Sequence, residues 1–263
     1  MAKRNGRPPE KGASKPRLQP DTARTGGGNG LWLYGFHPVL AALKNPERRI
    51  FRLLATKETA AEIPPSLLPS GNAPEPASRS DIDALLPKGV VHQGIAACVS
   101  PLPGRHVEDI ASDGRAVVVL LDQVTDPHNV GAVLRSAAAF DAKAVITTGD
   151  NAPEATGTIA KSACGALETV PLIAVSNLAR AMKTLKDMGF WCVGMDGKAE
   201  KALHESKLPE RIALVMGSEG YGLRRLTAEN CDFMVKLPIS EKMESLNVSN
   251  AAAIALYDLR LRE

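Results

Sequence analysis

The sequence predicts an α/β protein in two parts: a small α/β unit, then a larger one built on a parallel sheet covered by helices on both faces. Three observations predict it. From Arg115 to the C terminus, short runs rich in Val, Ile and Leu alternate with segments of helical periodicity, the pattern of strands buried on both faces. Pro101-Leu-Pro-Gly-Arg breaks the chain with a linker composition. With 44% hydrophobic residues in 263, there is enough apolar surface to bury a core in one or two domains.

In chain order, residues 1–30 come first as a basic, Gly/Pro-rich arm. They hold seven Lys/Arg against two acids, more than the whole chain's net +3, so the remainder is slightly acidic. Such an arm reads as a disordered tail that contacts polyanions without sequence preference. In Leu31 to Pro46, Val39, Leu40 and Leu43 recur at helical spacing until Asn45-Pro46 stops them. Phe51–Ala55 reads as a strand, Pro64–Ser78 with five prolines as an exposed loop, Ser80–Leu86 as a helix capped by Ser80, and Gly94–Val99 as a strand. Residues 31–100 thus form the front unit, 101–114 the linker and 115–263 the larger unit. Its strands are expected at 116–121, 144–148, 170–173, 190–193, 212–216 and 233–237. Helices are expected at 129–140, near 156–163, at 177–188, after Leu223, and from the Ser245–Asn250 stretch to the end.

Ligands of such sheets sit at the carboxyl ends of the strands, and three loops there are loaded with polar groups. In Asp122–Ser136 the chain turns at Asp126-Pro127 and enters a helix, with Asn129 in its first turns and Arg135 less than two turns on. An arginine beside a helix N-terminus suits a phosphate or a nucleotide backbone. His128, beside a proline in a turn, reads as structural. In Met216-Gly-Ser-Glu-Gly-Tyr-Gly a strand runs into glycines that allow close backbone approach, with Glu219 among them. In Pro238–Asn250 the residues Ser245, Asn247, Ser249 and Asn250 crowd one helix entrance with more polar groups than a cap needs. There is no Gly-x-Gly-x-x-Gly and no phosphate-binding Gly-Lys-Ser/Thr loop. Cys98, Cys164, Cys192 and Cys231 lie far apart and read as free, mostly buried thiols of a reducing compartment, with no metal site. With no membrane-spanning run and no leader pattern, the protein is expected to be soluble and cytoplasmic.

In order and spacing, Asp122 to Ser136, Met216-Gly-Ser-Glu-Gly-Tyr-Gly and Leu237-Pro-Ile to Ser249 resemble the three motifs of the SpoU group of SPOUT RNA 2′-O-ribose methyltransferases. Ala160-Lys-Ser-Ala-Cys-Gly-Ala also matches, and the likeness covers nearly all of Val117–Arg262. Tyr34-Gly-Phe-His-Pro-Val-Leu-Ala-Ala-Leu and His92-Gln-Gly-Ile-Ala resemble the L30e-like substrate-binding domain of the subgroup acting on a guanosine of 23S ribosomal RNA. The resemblance implies methyl transfer from S-adenosyl-L-methionine to a ribose 2′-hydroxyl by a homodimer whose C-terminal segment forms a deep trefoil knot. It assigns Arg135 as the catalytic arginine held by Asn129, with Glu219, Ser245 and Asn247 completing the site, and Gly217, Leu237, Ile239 and Leu246 holding the cofactor. Glu241 departs from the family pattern, which usually has a glycine there. A transfer-RNA ribose methyltransferase and a non-catalytic RNA-binding ribosome assembly factor are the competing readings. The second would lack one of Asn129, Arg135, Glu219 and Asn247, and all four are present.

Overall fold

The computed structural model describes residues 30–68, 73–111, 113–149 and 153–262, and the basic arm, apart from Gly30, lies outside them. The first sheet takes its strands from β1 (Leu31–Tyr34), β2 (Ile50–Ala55), β3 (Glu75–Pro76) and β4 (Ile95–Val99), in the order β1-β4-β2-β3. β4 is buried along its whole length and pairs antiparallel with β1 and β2. Three helices flank the sheet: α1 (Phe36–Lys44), α2 (Lys57–Glu62) and α3 (Arg79–Asp83). Leu31–Tyr34 is therefore strand rather than an approach to the helix, because Gly35 at φ 90 turns the chain sharply before α1. The cap of α3 is Ser78, not Ser80: its hydroxyl accepts from the Asp81 N–H while Asp81 accepts from the Ser78 N–H, a reciprocal capping box.

The larger sheet grows from β5 (Ala116–Asp122), whose Val-Val-Val-Leu-Leu run is apolar on both faces. With it stand β6 (Ala144–Thr148), β7 (Leu172–Val175), β8 (Trp191–Met195), β9 (Lys201–Ala202), β10 (Arg211–Gly217) and β11 (Phe233–Lys236). All are parallel, in the order β7-β6-β5-β10-β8-β11-β9. Its helices are α4 (Pro127–Ala139), α5 (Pro153–Ser162), α6 (Leu178–Asp187), α7 (Arg225–Glu229) and α8 (Val248–Arg260). Side-chain alternation splits the core in two. Val119, Leu121 and Leu214 face a layer with Val130, Leu134, Ala252 and Leu256, whereas Val118, Leu120 and Val215 face Leu178, Met182 and Leu185. β7 begins two residues later than its apolar run suggests, because residues 166–168 wind into a 3₁₀ turn in which the Ala166 carbonyl takes up both the Thr169 and Val170 N–H groups.

The two sheets are locked together. β1 lies against α5 at Gly157, where a β-carbon would stand 3.2 Å from the Trp32 carbonyl oxygen and from the Tyr34 ring. Beside it Arg48 and Glu168 form an ion pair of 2.8 Å with side chains 1% and 4% exposed. Asn45 adds a bond to Glu168 Oε2 at 2.7 Å, and Arg48 Nη1 donates to the Ser100 carbonyl at 2.6 Å. These bonds satisfy charges that would otherwise be stranded away from water.

Candidate active site

Three loops leave the carboxyl ends of the larger sheet and meet. After β5, Gln123 adopts the left-handed region at φ 60, and Asp126 caps α4 by accepting from the His128 N–H at 2.9 Å. Pro127 occupies the first helical position, where a missing N–H costs nothing. Asn129 follows within the first turn. After β10, Ser218 and Gly222 exchange backbone hydrogen bonds and close a loop that carries Glu219. A β-carbon on Gly217 would stand 2.2 Å from the Gly222 carbonyl carbon, so the fold-back requires glycine. The third loop, residues 237–247, ends at Asn247, which caps α8 by accepting from the Ser249 and Asn250 N–H groups at 2.9 and 3.4 Å.

Glu219 Oε1 is the junction. It accepts from Asn129 Nδ2 at 3.2 Å, from Asn247 Nδ2 at 2.5 Å and from the Val248 N–H at 3.4 Å. Asn247 Nδ2 also donates to Asn129 Oδ1 at 3.1 Å. Counting donors and acceptors separates the roles. Both amide hydrogens of Asn247 and its oxygen are taken up within the junction and the cap. Among the described residues, one N–H of Asn129 and Oε2 of Glu219 have no partner. Asn129, Glu219 and Asn247 are thus brought together from the first turn of α4, the loop after β10 and the cap of α8.

Arg135 stands apart from that junction. It is exposed on α4, and its Nη1 donates to Cys164 Sγ at 3.5 Å, while the Asn129 amide expected to hold it is engaged with Glu219 and Asn247. Cys164 is correspondingly exposed, unlike buried Cys98 and Cys192. Ser245 is exposed at the edge of the third loop. His128 Nδ1 meets Ser162 Oγ at 3.2 Å and so joins α4 to α5.

Sequence reasoning passed over one pair. Asp122 is fully buried at the end of β5, and it accepts from Arg224 Nε at 2.7 Å and from the Arg224 N–H at 3.0 Å. This ties the far side of the Glu219 loop to the loop that carries Asn129. The signal was present: a carboxylate closing an unbroken apolar strand calls for a cation or hydrogen-bond donors once it is buried.

The third loop has the makings of a nucleoside-cofactor site. Ile239 is 41% exposed, Leu237 and Leu246 are half-buried, and Glu241 is exposed. Within residues 237–246 the main chain makes one bond to itself, Met243 N–H to the Ser240 carbonyl at 3.1 Å. Apolar surface beside open main-chain donors and acceptors is what a purine base and its ribose require. A cleft of about 960 Å³ lies elsewhere, between Asn45–Arg48, the 101–105 linker and residues 167–172. No cluster able to hold a metal ion and no helix long and apolar enough to cross a membrane occurs among the described residues.

The fold and the three-loop junction define a class, and comparison with known proteins agrees. Residues 116–257 match the model of the SpoU rRNA Methylase family, and residues 32–104 match that of the RNA 2′-O ribose methyltransferase substrate binding domain. The chain belongs to the SpoU rRNA methylase family. More particularly, it is similar to the 23S rRNA (guanosine-2′-O-)-methyltransferase RlmB of Salmonella typhimurium, 44% identical over 237 residues that cover 86% of this chain and 96% of that protein. The protein of the same name from Escherichia coli K12 is 43% identical with the same coverage. Among solved structures, the SpoU methyltransferase AviRb from Streptomyces viridochromogenes in complex with AdoMet superposes with a TM-score of 0.76 at 23% identity, over 91% of this chain and 95% of that one. An RNA 2′-O ribose methyltransferase superposes at 0.74 and 24% identity, over 88% of each chain. These two likenesses carry the fold.

Proposed function

We propose that this chain methylates the ribose 2′-hydroxyl of a guanosine in 23S ribosomal RNA, with S-adenosyl-L-methionine as the methyl donor. The observation that carries the reading is the junction at Glu219, where Asn129, Glu219 and Asn247 from three separate segments form one polar cluster. The RlmB relatives supply the substrate class.

Gly217, Leu237, Ile239 and Leu246 hold the cofactor, the first by bare backbone and the others by apolar surface and main-chain groups. When bound, the cofactor supplies a methyl group already activated by its sulfonium charge. What remains for the protein is orientation and the handling of one proton. The second amide N–H of Asn129 and Glu219 Oε2 engage the target ribose, and Oε2 accepts the proton that the 2′-hydroxyl gives up as its oxygen takes the methyl. Arg135, a planar fork of donors, grips the adjoining phosphate and sets the ribose in line. Asn247 is spent on holding Asn129 and Glu219, and Ser245 stands exposed two residues before Asn247.

Residues 31–100 select the RNA and 115–263 carry the chemistry, joined through 101–114. This division is supported by the two sheets and by the substrate-binding match over residues 32–104. The arm at 1–30 adds phosphate contacts. The working form is a homodimer, a reading supported by the exposed Ile254, Tyr257 and Leu261 on and just beyond α8, with Phe140 packed edge-on against Tyr257. The trefoil knot belongs to the same reading and is supported by α8 returning to pack on α4 beside the Glu219 loop. The test is a ribose-methylation map of ribosomal and transfer RNA from cells with and without this protein, alongside sedimentation of the purified chain. Loss of one 2′-O-methylguanosine in 23S RNA and a dimer mass are expected. A transfer-RNA site lost instead would replace the substrate, and an unchanged map would leave a binding factor.

A further inference from the structure

The match over Ala160–Ala166 leaves the turn at 161–165 without a role. It sits between the front unit and the candidate catalytic arginine. On one side the front unit grips it. Gln93, itself at φ 56, presents one carboxamide oxygen that accepts from the Phe36 N–H at 3.1 Å and from Lys161 Nζ at 2.8 Å. Gly165, at φ 94, lies so close to α1 that a β-carbon there would stand 2.6 Å from Ala41 Cβ. On the other side the turn touches α4. Gly131 lets the two helices meet, since a β-carbon on it would stand 2.4 Å from Ser162 Cβ, and His128 reaches Ser162 Oγ. Between Lys161 and Gly165, Cys164 takes the left-handed conformation at φ 51, uncommon for a side chain with a β-carbon. That conformation places Sγ 3.5 Å from Arg135 Nη1.

We infer that Cys164 is a positioning residue for Arg135, and that the front unit sets this position through its hold on Lys161 and Gly165. The inference rests on the methyltransferase reading. Arg135 is long, exposed and free of carboxylate partners among the described residues. Without a fixed neighbour its guanidinium would sample many rotamers, and ordering it would fall on each catalytic cycle. A strained turn held by a second rigid body supplies such a neighbour. Docking of the front unit on RNA and the aim of the arginine then become one event.

The test uses the full-length protein and its Cys164→Ala, Cys164→Ser and Gly165→Ala variants, with single-turnover methylation at saturating S-adenosylmethionine and binding measured separately. Cys164→Ala should slow the methyl-transfer step about three- to tenfold, the size expected for one lost weak hydrogen bond, with RNA and cofactor affinity unchanged. Cys164→Ser, which keeps an acceptor, should recover to within about twofold. In an Arg135→Ala background, Cys164→Ala should add nothing. Gly165→Ala should slow the same step and, combined with Cys164→Ala, add little. A double-mutant cycle of Arg135→Ala and Cys164→Ala in urea unfolding reads the contact without any turnover, and a coupling of about threefold in the unfolding constant is expected. Full-rate Cys164→Ala, no rescue by serine, a loss that persists without Arg135, or zero coupling in unfolding would each overturn the inference. A wild-type protein that methylates no RNA would instead overturn the function proposed above, and the unfolding cycle would still judge the contact.

Discussion

Replacing Arg224 with alanine should destabilise the protein more than replacing its buried partner Asp122 with asparagine. Asp122 is fully buried and Arg224 is 51% exposed, so the two ends of the bond stand in different surroundings. Without the guanidinium, the carboxylate stays among apolar strand residues and, among the described residues, keeps the N–H of residue 224, at 3.0 Å in the wild type. Losing one charge-assisted hydrogen bond costs about 1.5–3 kcal/mol, and stranding a buried charge costs about 3–5 kcal/mol. The remaining N–H and the half-solvated partner reduce the second figure, which places Arg224→Ala at about 2–4 kcal/mol. Asp122→Asn removes the buried charge as well as the pair. Its carbonyl oxygen still accepts from the Arg224 N–H, and the arginine can turn into water, so about 1–2 kcal/mol is expected. Urea unfolding of the two variants, with the slope checked for constancy, measures both. The bond also anchors the Glu219 loop, so each variant should lose methyl-transfer rate in proportion to its destabilisation. A cost below about 0.5 kcal/mol for Arg224→Ala, or the reverse ranking, would show that the strand end is solvated and refute the argument.

Three further predictions follow from the same geometry. Arg135→Ala should lower single-turnover methylation by about 10²–10⁴ while sparing cofactor affinity, because the cofactor site proposed above lies on the other two loops, and Arg135→Lys should recover little if the planar fork matters; calorimetry beside the rate assay separates the two effects. Arg48→Met should cost about 3–5 kcal/mol by stranding Glu168, which is 4% exposed, whereas Arg48→Met with Glu168→Met should fall within about 1 kcal/mol of wild type; protease cleavage in the 101–105 linker reports undocking of the front unit. Burial pushes the thiols of Cys192 and Cys231 up to about 11 and about 12, above an ordinary thiol. The folded state therefore binds more protons than the unfolded one above pH about 9, so stability should be full below that pH and fall as the pH rises toward 11–12. Thermal melts from pH 7 to 11 should show the fall, and Cys231→Val should shrink it.

The larger sheet was legible because its strands are apolar runs that carry their own period. β5, β10 and the helices between them follow from local pattern alone. Their ends were less legible where a local device competes with periodicity: the Ser78–Asp81 box moved the start of α3, and the 166–168 turn delayed β7. Asn129, Glu219 and Asn247 could be singled out from sequence, because each stands in one of the three motifs that resemble the family's. Their separate duties could not. Which amide hydrogens are spent and which remain free is a count over neighbours some 30 to 120 positions apart in the chain, and only the folded loops bring those neighbours within 3.5 Å. The same reason hid the Arg224–Asp122 bond, the Arg48–Glu168 lock and the Cys164–Arg135 contact. Each is a long-range pair between groups that read as ordinary charges or a lone thiol in sequence. Composition and period dictate which surfaces must be buried, and the closing of the sheets decides which polar groups meet when they are.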